Sequence, residues 1–296
     1  GLVLDTAALE KYDDIIDLSI GDVDRVTDER IIDAAFADAK GGYTRYGLPR
    51  GDRQLVEAIC AAWSEDHGQV ITPEMVHVTG SGCLGLAQAI LAICDPGDEI
   101  LLLSPYFTPY RQQIALAGGI PVEVPALAED GYMPRLEALE AAVSNRTKAL
   151  ILNNPANPTG KVYSEAELML LADFAARHDL LIIADEVYTC YVYDGSFIPM
   201  RTIPGAAERT ITVVSFSKNF FMTGWRIGFT IAEPAIIDAS MAAAGMLIYT
   251  APSVSQRAVI KALQLRREIM EENAALFRTR VLYAADRVAR LPYLTL

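Results

Sequence analysis

The sequence is poor in the residues that build metal centres and covalent frameworks. Its 296 residues include four cysteines (Cys60, Cys83, Cys94, Cys190) and three histidines (His67, His77, His178). No two cysteines form a C-x-x-C pair, and the histidines do not cluster with them. That argues against a metal site, and free thiols in a reducing cytosol are the simple expectation. Positive charge is scarce as well: Lys and Arg total 25 against 38 Asp and Glu, a net charge of −13. A chain so acidic lacks the broad basic face that nucleic acid or an anionic membrane demands, although local charge could still serve a small anionic ligand. No apolar run approaches the roughly 20 residues of a membrane span. The first ten residues carry no basic n-region and an early acid, so they do not read as a secretion signal, and cytoplasmic residence is expected. The chain begins at Gly1 without a methionine, as a trimmed sequence would. Internal repeats and low-complexity segments are absent.

What is present is apolar material in a regular arrangement. The chain is 52% hydrophobic, enough for a substantial core. Residues 1–25 read as irregular, ending in Ile20-Gly21-Asp22. Helical spacing then places Ile31, Ile32, Ala35, Phe36 and Ala39 on one face over residues 28–40. A loop rich in glycine, tyrosine and arginine follows, from Gly41 to Gly51, of the kind that carries function more often than packing. Beyond it, helices and short apolar runs alternate. Strands are predicted at Val76–Thr79, Glu99–Leu103, Ile120–Val124, Ala149–Leu152, Leu180–Ala184, Ile211–Val214 and Ile227–Ile231. Helices are predicted over Leu55–Ser64, Leu84–Ile93, Leu136–Val143, Glu165–His178 and Val254 to about Arg267, with further helix to Arg290. Apolar strands separated by helices indicate an α/β fold: a mostly parallel, mixed sheet flanked by helices. Ligands in such folds bind beyond the carboxyl ends of the strands.

Four strand ends carry informative residues. Thr79-Gly80-Ser81-Gly82-Cys83 opens a helix, whose free N–H groups and dipole favour an anion. Asn153-Asn154-Pro155-Ala156-Asn157-Pro158-Thr159-Gly160 breaks the chain sharply and presents the Asn157 amide. Asp185, directly after an apolar strand, is costly to bury without a cationic partner such as a protonated ring nitrogen, and Tyr188 can reach the same ligand. Ser215-Phe216-Ser217-Lys218-Asn219 offers an amine just past a strand, with Arg226 eight residues on.

Together these motifs resemble the class I, fold-type I aminotransferases, which depend on pyridoxal 5′-phosphate (PLP). Asn157-Pro158-Thr159-Gly160, Asp185-Glu186-Val187-Tyr188, Ser215-x-Ser217-Lys218 and Gly224-Trp225-Arg226-Ile227-Gly228 stand in that family's order and rough spacing. The match runs from about Gly21 to the end of the chain. The resemblance implies that Lys218 bonds covalently to the PLP aldehyde and shuttles the substrate Cα proton. It implies that Asp185 pairs with the pyridinium nitrogen and that Asn157 and Tyr188 hydrogen-bond the phenolic oxygen. Ser215 and Arg226 would bind the phosphate, with Ser81, Gly82 and Cys83 adding a helix N-terminus. Phe107 would stack on the ring, and Gly21 and Asn157 would lie beside the substrate carboxylate. Tyr46 would reach the phosphate of a neighbouring subunit, which implies a homodimer with shared sites. The implied organisation is an N-terminal segment (1–25) on the substrate side, a large PLP-binding domain (26–270) and the start of a small C-terminal domain (271–296).

The sequence also departs from the family. Phe107 stands where many members carry Trp or Tyr, and Cys83 where a hydroxyl is the stronger donor. The chain stops at Leu296, where the family continues into a domain carrying the arginine that clamps the substrate carboxylate; such a chain is expected to transaminate poorly. The implied activity is transfer of an amino group from an L-amino acid to a 2-oxo acid. A PLP-dependent C–S lyase working by β-elimination is the alternative. A PLP-sensing regulatory domain is disfavoured, since no basic DNA-binding segment precedes residue 20 and the charge is −13.

Overall fold

The computed structural model describes residues 21–293 together with Asp14 and Ile16. Most of the irregular segment expected over residues 1–25 therefore lies outside the described residues. The elements run α1 (Glu29–Lys40), α2 (Arg53–His67), β1 (Val76–Thr79), α3 (Gly82–Ile93), β2 (Glu99–Ser104), α4 (Pro109–Leu116), β3 (Ile120–Pro125), α5 (Leu136–Ala142), β4 (Thr147–Asn153), α6 (Glu165–Arg177), β5 (Leu181–Asp185), β6 (Thr210–Ser215), α7 (Phe216–Asn219), β7 (Gly228–Ile231), α8 (Pro234–Leu247), α9 (Ser253–Gln264) and α10 (Arg266–Val288). Short 3₁₀ turns connect several of them.

Among the described residues, the seven strands form one sheet in the order β1-β7-β6-β5-β4-β2-β3. The block from β6 to β3 is parallel, while β7 runs antiparallel to both β6 and β1. The mostly parallel, mixed sheet expected from the sequence is thus present. Period-2 alternation sorts its side chains between two layers. Ile100, Leu102, Ile151, Ile183 and Val213 pack with Leu86 and Ile90 of α3, Ile114 of α4 and Ile237 of α8. Leu101, Leu103, Leu150, Leu152 and Ile182 pack with Leu139 of α5 and Leu168, Leu171 and Phe174 of α6. A third cluster joins β1 and β7 to α1, α2 and α9. Each fully buried Leu or Ile contributes roughly 1.5–3 kcal/mol.

Capping residues set several of the helix starts. Asp28, Asp52 and Ser81 each accept from a backbone N–H of the first turn, and Ser164 with Glu167 forms a reciprocal capping box. Two helices carry weak periodicity and do not stand out in the sequence: α4, which starts with Pro109, and α8, which is apolar nearly all round. Several boundaries differ from expectation by one to three residues, two of them with consequences. Asp185 is the last residue of β5 rather than the first beyond it, and the long C-terminal helix breaks at Leu265. The continuous helix α10 carries the chain across residues 270 and 271.

Candidate active site

Strand register builds the floor of the site. Asn153, Asp185 and Val213 stand in one row across β4, β5 and β6. Ser215, Gly228 and Thr79 stand in another across β6, β7 and β1. Asn153, Asp185 and Ser215 fall on the face that carries Ile151, Ile183 and Val213, beneath α3 and α4. Glu186, one residue on, takes the opposite face. Beyond these strand ends lies a cavity of about 240 Å³.

Gly228 explains how the start of α3 comes so close to β6. A Cβ there would lie 2.5 Å from the Val214 carbonyl oxygen and 2.9 Å from the Gly82 nitrogen. Only a residue without a side chain lets the helix terminus and the strand meet. Gly82 is nearly as confined, since a Cβ on it would stand 3.0 Å from Ser215 Cβ. The terminus of α3 is thereby held against Ser215, with Ser81 capping it by accepting from the Leu84 N–H at 3.0 Å. Free N–H groups, two serines and the Arg226 guanidinium converge on this side of the cavity. That is the chemistry of a phosphate site. Arg226 is held at φ 52°, in the left-handed region that few side chains adopt, and its guanidinium donates to the Thr223 carbonyl at 2.8 Å.

The most buried polar group lining the cavity is Asp185, 3% exposed. Its Oδ2 accepts from the Tyr110 hydroxyl at 2.5 Å, while Oδ1 is buried with no partner among the described residues. Burial pushes its pKa up to about 6, and the bond from the Tyr110 hydroxyl acts in the opposite direction. A buried carboxylate oxygen without a donor requires a cationic or N–H ligand. The Asn153 amide donates to the Asp185 carbonyl at 2.9 Å and its oxygen accepts from the Asn157 N–H at 2.6 Å, which fixes the turn after β4. The Asn157 amide in turn reaches the Tyr188 hydroxyl at 3.5 Å.

Lys218 sits on the single turn of α7, which starts from the Ser215 cap. The Tyr191 hydroxyl donates to the Lys218 carbonyl at 2.7 Å. Asn219 is held by Thr189 and Asn273. The amine itself donates to the Gly21 carbonyl. Burial lowers the Lys218 pKa; nearby Asp22 opposes that shift and Arg226 adds to it. A less basic amine is a better nucleophile at neutral pH.

Of the residues expected from the sequence, Gly21, Ser81, Gly82, Cys83, Phe107, Asn157, Asp185, Tyr188, Ser215, Lys218 and Arg226 all line this one cavity. Tyr46 does not. It is 83% exposed, packs edge-on against Tyr249 with ring centroids 5.1 Å apart, and borders a separate depression. Sequence reasoning passed over Asn153, Tyr110 and Asp22. Asn153 and Asp22 adjoin residues already singled out, but nothing local marks Tyr110, whose partner is 75 positions away.

Comparison with solved structures defines the class. The aromatic aminotransferase of Pyrococcus horikoshii OT3 superposes with a TM-score of 0.92 at 34% identity, covering 98% of this chain and 79% of that one. The aspartate aminotransferase of Thermus thermophilus with maleate gives 0.89 at 34% identity, covering 93% and 72%. The sequence profile of aminotransferase class I and II matches residues 13–293, and the chain belongs to that family. It is 38% identical over 257 residues to the probable aspartate/prephenate aminotransferase of Thermus aquaticus, covering 87% of this chain and 67% of that protein. It is 38% identical over 251 residues to the aspartate/prephenate aminotransferase of Thermus thermophilus, of which it covers 64%. The chain thus spans about two thirds of the length of these relatives.

Proposed function

We propose that this chain binds pyridoxal 5′-phosphate and serves transfer of an amino group from an L-amino acid to a 2-oxo acid. The observation that carries the reading is Oδ1 of buried Asp185, without a partner among the described residues, in the cavity that Lys218 also lines. A pyridine nitrogen bearing a proton is the partner that oxygen lacks. The fit extends to the phosphate, for which the α3 terminus, Ser215 and Arg226 supply donors, and to a phenolic oxygen within reach of Asn157 and Tyr188. The names of the relatives support the same activity.

When bound, PLP supplies an electron sink for the pair of electrons released at the substrate Cα. The remaining work falls to the chain. Lys218 would hold the aldehyde through Nζ and, once the substrate amine had displaced it from that carbon, its freed amine would take the Cα proton and return it. Asp185 holds a proton on the ring nitrogen by remaining ionised beside it. Phe107 lies on the cavity wall, where its ring can cover a planar group and keep water from it. Arg226 and the helix terminus fix the phosphate end, so the reacting end meets Lys218 in one orientation. The same reading assigns Tyr46, exposed and away from its own cavity, to the phosphate of a second copy in a homodimer. It also makes residues 26–270 the cofactor-binding domain, with 1–25 on the substrate side and 271–296 opening a further one.

An absorbance scan during PLP titration tests this. A visible band is expected with the wild-type chain, and its loss in Lys218→Ala, with turnover falling roughly a thousandfold or more. No band in the wild type, or an undiminished band in Lys218→Ala, overturns the proposal. Pyruvate and ammonia formed from cysteine-type donors without an added 2-oxo acid would instead establish β-elimination.

A further inference from the structure

Tyr110 is the second residue of α4, 1% exposed, and belongs to the core layer that also holds Ile183 and Val213. Its backbone N–H donates to the Phe107 carbonyl at 3.1 Å, and its ring meets the Phe107 ring edge-on, with centroids 5.5 Å apart at 79°. The ring therefore has little freedom. Its hydroxyl ends 2.5 Å from Asp185 Oδ2. A buried phenol needs an acceptor and a buried carboxylate needs donors, and each here supplies the other. The bond leaves Oδ1 as the carboxylate oxygen still to be satisfied.

Resting on the PLP reading, we infer that Tyr110 is a positioning residue for the cofactor: its hydroxyl keeps Asp185 ionised and fixes which carboxylate oxygen meets the ligand. The groups around Asp185 leave this task to Tyr110. Cys83 of α3 and Tyr188 beyond β5 lie within charge reach, but burial raises the pKa of both and keeps them neutral. Glu186 is on the opposite face, and burial together with the Asp185 charge keeps it protonated, so it offers no counter-charge. Lys218 and Arg226 line the same cavity without forming an ion pair with Asp185, Lys218 donating to Gly21 and Arg226 to Thr223. The hydrogen bond to the carboxylate comes from the Tyr110 hydroxyl. Tyr110 is therefore the side chain whose loss changes the proton affinity of Asp185 most.

The test begins with the protein alone. Infrared difference spectra across a pH series report the protonated carboxyl of Asp185 as the band missing from Asp185→Asn. In Tyr110→Phe its midpoint should rise by about one to two pH units, the size expected for one hydrogen bond to a charged group. PLP should then bind roughly tenfold or more weakly. Incorporation of 2,3-difluorotyrosine at position 110 keeps the shape of the ring and makes the hydroxyl a stronger donor, so the midpoint should move down. Opposite shifts from the two variants support the inference, since a purely structural role moves both the same way. An unmoved midpoint in both, or shifts of the same sign, overturns it. Should Tyr110→Phe fail to fold by circular dichroism, the fluorinated protein alone decides by the direction of its shift. Because the carboxyl titration uses no PLP, a failure of the cofactor reading shows separately, as absent PLP binding with the Tyr110 shift intact.

Discussion

The floor and the rim of the cavity are built by different means. On the floor, Asn153, Asp185 and Ser215 are placed by the register of parallel strands, and Asp185 is buried and locked by Tyr110. At the rim, Gly21, Asp22 and Arg226 are exposed, and they hold position through a few long-range bonds such as Thr223 to Asp22 at 2.9 Å and Lys218 to the Gly21 carbonyl. The floor is thus specified by the same interactions that hold the sheet together, so it cannot shift without cost to the fold. The rim is free to vary with the ligand. Lys218 joins the two: its backbone belongs to the floor through Tyr191, and its amine reaches the rim.

If the floor is inseparable from the fold, Gly228→Ala should have the largest effect. The new methyl meets backbone atoms of Val214 and Gly82, which cannot move aside as a flexible side chain could. We expect a loss of about 3 kcal/mol or more in urea unfolding, together with weakened PLP binding as the α3 terminus is forced from Ser215. A stability unchanged within error would show that the two rows of residues yield independently.

Glu186→Gln sharpens the comparison from beneath the floor. Glu186 is 1% exposed, its Oε1 accepts from the Met200 N–H at 2.8 Å, and Oε2 has no partner among the described residues. Burial pushes its pKa up to about 8. The folded state therefore keeps a proton that the unfolded chain releases near the ordinary glutamate value of 4.5. Stability from this group is complete below that value and is lost as pH rises through 8, a decline on the order of a few kcal/mol. Asp185, whose pKa is raised to about 6, adds to the decline at the acid end. Urea midpoints at pH 5 and pH 8.5 should differ clearly in the wild type and by much less in Glu186→Gln. An equal decline in both would place the pH sensitivity elsewhere.

The rim should tolerate change best. Arg226→Lys keeps the charge but loses the fork that suits a phosphate. PLP affinity should fall about tenfold, with unfolding unchanged. A stability loss as large as that of Gly228→Ala would erase the distinction between rim and floor; the left-handed backbone at Arg226, which lysine must also adopt, makes this a fair trial.

Much of this was legible in the sequence, and the exceptions share a cause. Strands such as Glu99–Ser104 and Thr147–Asn153 declare themselves because their central residues, 100–103 and 149–152, are apolar and buried on both faces. The motif residues cluster because each follows a strand end, where turn chemistry and function coincide. Helices α4 and α8 stayed hidden because the first is short and buries only Tyr110 and Ile114, and the second leaves apolar residues such as Met246 and Leu247 exposed, so neither shows a clean 3.6-residue stripe. Asp185 reads as lying beyond its strand because a carboxylate breaks an apolar pattern; the ladder continues through it, and the Tyr110 hydroxyl satisfies Oδ2 from outside the strand.

Sequence alone determined the alternation of strands and helices, the scarcity of metal ligands and the set of residues at the strand ends, because burial and turn chemistry leave local marks. Tertiary structure decided three further things: that Asp185 turns toward the cavity and Glu186 away, that Gly228 admits the helix terminus to Ser215, and that Tyr110 reaches across 75 positions to Asp185. Those depend on register and close approach between segments distant in the chain. Such relations leave no pattern in the residues nearby, since the physical constraint exists only once the segments have met.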